Sequence, residues 1–165
     1  MPARQTTLLS LSLLGLSALF PASAATYLAG GAYDYSDSSI YLAAGTDVSQ
    51  RVSLHAQYLD AYEFVFRGTA DIYLANGFSA IAGFSHYDYS SSDDTGTILG
   101  LGYKFAAGDV PMAIKGVKDT VGDGYYSFGV FAYVPLGRNL AIEASYKLNT
   151  DDVDNEMGLG VRFRF

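Results

Sequence analysis

The sequence predicts an all-β protein, a single transmembrane up-and-down antiparallel β-barrel of about ten strands that follows a cleaved export segment. Three observations carry this expectation. Past residue 25 the apolar residues fall at every second position, with no sustained run three and four apart of the kind an amphipathic helix needs. The chain holds 14 Tyr, 10 Phe and 18 Gly but 4 Pro, a strand-forming composition with glycine for turns and close approaches. Polar, acidic connections alternate with short, tight ones, as the two ends of a membrane barrel require.

The first element is a targeting segment. Arg4 supplies a positive start, Leu8 to Phe20 an apolar stretch, and Pro21 precedes Ala22-Ser23-Ala24, an A-x-A cleavage signal. The apolar run is shorter than the roughly 20 residues a membrane helix needs. Residues 1–24 therefore read as a signal peptide and 25–165 as the barrel.

Ten period-two segments follow: Tyr27 to Tyr35, Ser39 to Thr46, Arg51 to Leu59, Glu63 to Leu74, Phe78 to Tyr89, Gly96 to Phe105, Pro111 to Asp119, Gly124 to Val134, Leu140 to Leu148 and Met157 to Phe165. Most match the roughly 9 to 11 residues of a tilted crossing strand. An eight-strand ring is the alternative, but Arg51 to Leu74 is too long for one crossing. The polar connections are Ser36 to Ser38, Asp60 to Tyr62, Ser90 to Thr95, Thr120 to Asp123 and Asn149 to Glu156. The short ones are Asp47 to Gln50, Ala75 to Gly77, Ala106 to Val110 and Pro135 to Asn139.

Alternation assigns faces. Met157, Leu159, Val161, Phe163 and Phe165 suit lipid, whereas Gly158, Gly160, Arg162 and Arg164 suit a lumen. Leu140, Ile142, Ala144, Tyr146 and Leu148 oppose Ala141, Glu143, Ser145 and Lys147 likewise. So do the even-numbered residues from Phe64 to Leu74 against the odd-numbered ones from Val65 to Tyr73, and Leu99, Leu101, Tyr103 and Phe105 against Gly100, Gly102 and Lys104. The first, second, fifth and eighth segments leave the faces undecided. Tyr33, Tyr35, Tyr58, Tyr87, Tyr89, Tyr126 and Tyr146 near the loop ends, with Phe78, Phe105, Phe163 and Phe165 near the turn ends, suit two interfacial girdles. A soluble sandwich is disfavoured because its open edges would need protection.

The ending, Gly158-Leu159-Gly160-Val161-Arg162-Phe163-Arg164-Phe165, resembles the C-terminal signature of bacterial outer-membrane proteins. Val134 to Tyr146 resembles the short turn and following strand of small OmpA-like and opacity-type barrels. The resemblance implies a Gram-negative outer-membrane location, outer-membrane lipid and lipopolysaccharide as surroundings, and insertion by the barrel-assembly machinery through Val161, Phe163 and Phe165. The smallest members have eight strands, against ten counted here. A monomer is expected.

A three-residue loop at Asp60-Ala61-Tyr62 would set Leu59 opposite Glu63, His55 opposite Arg67 and Arg51 opposite Asp71. Leu148 opposite Met157 would set Glu143 opposite Arg162. With Lys104, Lys115, Lys147 and Arg164 these form the expected lumen charges. Two readings follow: the charges pair across a plugged interior, or their cationic surplus lines a narrow, mildly anion-preferring pore.

Other functions are weaker. With 17 acidic and 10 basic residues the chain is a poor fit for nucleic acid. The absence of cysteine excludes disulfide stapling. His86 and Asp88 beside Ser90, Ser91, Ser92, Asp93 and Asp94 invite an enzymatic reading, but the parity of His86 turns it toward lipid or the rim, and no catalytic residue is assigned. Asp151, Asp152, Asp154, Asn155 and Glu156 offer oxygen ligands for cations bridging to lipopolysaccharide, without the EF-hand spacing. A solvated, mutually repelling loop is the plainer reading, and surface adhesion through the same loops is a further alternative. No cofactor or metal site is assigned.

Overall fold

The computed structural model describes residues 25–35, 37–60, 64–89 and 92–165. The expected signal peptide at 1–24 lies outside the described residues, as do Ser36 and the loop positions 61–63, 90 and 91. Ten strands form among the described residues: β1 (Thr26–Tyr35), β2 (Asp37–Ser49), β3 (Val52–Asp60), β4 (Phe64–Tyr73), β5 (Phe78–Tyr89), β6 (Ser92–Ala107), β7 (Val110–Asp119), β8 (Tyr125–Pro135), β9 (Leu140–Asn149) and β10 (Glu156–Arg164). Each pairs antiparallel with its chain neighbours, and β1 meets β10 from Tyr27 opposite Arg164 to Asp34 opposite Met157. The ring is closed, so no strand edge is left unpaired.

The expected faces hold. Leu101 and Leu159 are about 60% exposed (64% and 60%), while their inward neighbours Gly102 and Gly160 are buried; on β2, where alternation left the faces undecided, Ile40 is 58% exposed and Tyr41 is buried. An apolar belt of this kind on the outside of a closed ring is inverted relative to a water-soluble protein, and hydrocarbon is the surrounding that satisfies it. Among the described residues no helix is long and apolar enough to cross a membrane.

Pairing runs further than polarity suggests. The β5–β6 ladder continues to Tyr89 opposite Ser92, so Asp93, Asp94 and Thr95 lie in β6, not in a loop. β2 likewise continues to Ser49 and β6 to Ala107. Backbone groups pair wherever a partner strand is present, whatever the side chains, so polarity marks the membrane exit and not the end of the ladder.

Both expected registers are off by two. Leu59 pairs with Val65, which sets His55 opposite Thr69, Gln57 opposite Arg67 and Ser53 opposite Asp71. In the β9–β10 hairpin Lys147 faces Glu156, and Glu143 faces Gly160. A two-residue offset keeps every side chain on its face, so the parity that fixed inside and outside could not detect it. Arg51 lies in the exposed β2–β3 turn and makes no lumen pair.

The tyrosines are redistributed. Tyr126 and Tyr146 face outward and Tyr58 packs on Phe64 with ring centroids 5.0 Å apart, as a girdle requires. Phe78, Phe163 and Phe165 are exposed at the turn end, and Phe105 is half-buried beside Tyr103. Tyr33 and Tyr87, however, are 3% and 1% exposed inside the ring, and Tyr35 packs against the same inner cluster. The Tyr89 side chain lies outside the described set. Pleat parity, not proximity to a strand end, decides where a tyrosine points. Inward glycines seat the rings: a Cβ on Gly160 would run into the hydroxyl of Tyr41, and one on Gly45 would collide with the ring of Tyr27.

Candidate functional site

The interior has two tiers. At the loop end it is filled. Leu59 and Val65, paired across β3 and β4, are fully buried and cluster with Tyr33, Tyr87, Val121 and Tyr125. Beneath them Glu156, 1% exposed, binds groups from three other strands. Arg67 on β4 reaches it with both guanidinium nitrogens, Nη1 to Oε2 at 2.8 Å and Nη2 to Oε1 at 2.9 Å. Lys147 Nζ on β9 donates at 2.8 Å, and the Tyr33 hydroxyl on β1 also donates to Oε2. Arg67 Nη2 further donates to the Tyr87 hydroxyl at 2.7 Å, and that oxygen lies 2.8 Å from the Tyr125 hydroxyl. Since β4 and β10 are separated by three strands round the ring, the Arg67–Glu156 pair spans the lumen. Two-pronged pairing of this geometry is among the stronger polar contacts available.

At the turn end the lumen opens into a chamber of about 330 Å³. Asp71 accepts from Lys115 Nζ at 2.9 and 3.2 Å, and His55 Nε2 stands 3.6 Å from it. His55 Nδ1 lies 2.9 Å from the Tyr27 hydroxyl. Glu143 accepts from the Tyr41 hydroxyl at 2.5 Å and from Arg162 Nε at 2.6 Å. The Arg162 guanidinium sits 3.8 Å from the Tyr27 ring centre and 4.3 Å from that of Tyr133, a stacked arrangement that holds it in place. Lys104 donates to the Tyr73 hydroxyl, with Nζ 4.2 Å from that ring centre. Arg164, exposed, lines the mouth.

Nine of the ten sequence-derived lumen residues, His55, Arg67, Asp71, Lys104, Lys115, Glu143, Lys147, Arg162 and Arg164, therefore line the chamber, and Arg51 does not. Their partners differ from expectation. Arg67 takes Glu156 in place of His55, and Asp71 takes Lys115 in place of Arg51. Glu143 and Arg162 do pair, but diagonally across β9 and β10. Sequence reasoning missed Glu156, which it placed in the acidic loop with Asp151 to Asn155. Its parity with Gly158 and Arg162 was the signal that it points inward. It also missed Asp119, 2% exposed, which accepts from Ser85 Oγ at 2.7 Å.

His86 faces outward, against Phe64, with Nδ1 3.0 Å from Thr95 Oγ1. Asp94 accepts from the backbone nitrogens of Thr95 at 2.8 Å and Gly122 at 2.6 Å, a loop-fastening role.

No protein-family model matches this chain, and no curated protein does. Solved structures do. The KdgM porin shares 11% identity with a TM-score of 0.54, over 86% of this chain and 99% of that one. A de novo designed transmembrane β-barrel gives 12% identity and TM-score 0.47, over 86% and 94%. A porin gives 13% and 0.38, over 88% of this chain and 60% of that one. At such identities the likeness to the KdgM porin concerns the fold: the chain is a closed antiparallel membrane barrel.

Proposed function

We propose that this chain is an outer-membrane barrel with a narrow, porin-like lumen that rests closed at its loop end. The observation that carries the reading is the trans-lumen cluster of Glu156, Arg67 and Lys147 beneath buried Leu59, Val65, Tyr87 and Tyr125. Buried charges met by opposite charges and hydroxyls form a rigid plug, because opening it strands ions in a low-dielectric interior. The outward apolar belt supports outer-membrane lipid, with lipopolysaccharide outside, as the surrounding. The exposed Val161 and Phe163 on β10, and Phe165 just after it, are available to the barrel-assembly machinery during insertion. In this reading the loops face outward and the turns face the periplasm, as in other barrels.

Planar-bilayer conductance of the purified protein tests it. The unaltered chain is expected to give no stable channel, and Tyr87→Ala/Tyr125→Ala, which removes two buried rings without unpairing a charge, is expected to give small steady steps. Reproducible channels from the unaltered chain would overturn the closed-lumen reading.

A further inference from the structure

We propose that the turn-end chamber is a binding site for a small oxyanion, a solute bearing carboxylate or phosphate groups, that enters from the turn side. The inference rests on the lumen being closed at the loop end, which makes the chamber a blind pocket. Six cationic side chains line it against three acidic ones, in a chain that is acidic as a whole. Pairing does not consume the surplus. Lys115 is matched by Asp71, Arg162 by Glu143, and Arg67 and Lys147 share Glu156. Lys104 and Arg164 have no carboxylate partner among the described residues, and both are exposed at the mouth. Inside, His55 Nε2 is buried without a hydrogen-bond partner, 3.6 Å from the Asp71 carboxylate.

Positive charge in a concave, low-dielectric wall focuses the field and raises the local concentration of anions. The guanidinium fork of Arg164 matches a carboxylate or phosphate with two bonds, and Lys104 adds a point charge. A volume of about 330 Å³ admits a small solute and no polymer. An entering oxyanion thus offsets the excess charge and meets a donor set already in position.

Isothermal titration calorimetry on the purified protein in detergent at low ionic strength, with citrate, inorganic phosphate and glucose, tests this. One or both anions are expected to bind, the stronger one identifying the preferred group, with glucose giving no heat beyond dilution. Lys104→Ala/Arg164→Ala should weaken anion binding by about tenfold or more. Arg51→Ala/Lys118→Ala removes the same charge outside the chamber and should leave binding nearly unchanged. Unchanged mobility of the unboiled protein on SDS gels confirms that each variant folds. The proposal is overturned if neither anion outbinds glucose, or if the two double variants lose equally. Conductance separates the two readings: anion binding in a protein that conducts removes the closed lumen and with it the blind pocket, whereas a non-conducting protein that binds neither anion removes the site alone.

Discussion

A carboxylate withdrawn from water must be compensated where it stands, and Glu156 is compensated by two cations and a phenol. Removing it leaves Arg67 and Lys147 facing each other without a counter-charge. Glu156→Ala is therefore expected to cost about 3–5 kcal/mol in reversible unfolding from lipid vesicles, the range for breaking one side of a buried pair. Arg67→Met and Lys147→Met added to it should recover most of that loss. If Glu156→Ala unfolds like the unaltered chain, the plug is not electrostatic. The sequence hid this residue because four polar neighbours, Asp151, Asp152, Asp154 and Asn155, made it look like more loop. The inward tyrosines were hidden for a related reason: on β1, β5 and β8 both faces are apolar or small, so alternation carried no contrast.

At the scale of the strand, period two was decisive where one face is polar. β9 and β10 sorted completely, and β4 and β6 nearly so, because Arg, Lys, Glu or Gly alternates there with Leu, Ile or Phe. What parity cannot carry is the offset between strands in steps of two, which depends on loop conformation. The outward assignment has a direct energetic consequence. Leu159→Arg on β10 is expected to cost about 2–4 kcal/mol in vesicle unfolding if position 159 lies near the bilayer midplane, with a smaller cost toward either interface. Leu159→Ala should cost markedly less. Equal effects from the two substitutions would mean that position 159 faces water.

For the molecule as a whole, closure between β1 and β10 turns nine marginal hairpins into one cooperative cylinder with its apolar side out. A narrow ring lets side chains meet across the interior, which is how Arg67 reaches Glu156 and Lys115 reaches Asp71. Strand number was legible in the sequence because each strand is a period-two segment between turn signals, and the faces were legible on those strands where polar and apolar residues alternate. The trans-lumen partners were not, because they depend on ring size and stagger, which no single strand encodes.

The chain contains no cysteine, so single cysteines can carry a nitroxide label at any chosen position. The most direct test places one in turn at positions 157 to 163 of β10 in lipid vesicles and measures collision with oxygen, which concentrates in hydrocarbon. High oxygen accessibility at 157, 159, 161 and 163, with low values at 158, 160 and 162, is the expected result. A profile with no alternation, or one in which water-soluble relaxants reach 159 and 161, would contradict a barrel whose outer face lies in lipid.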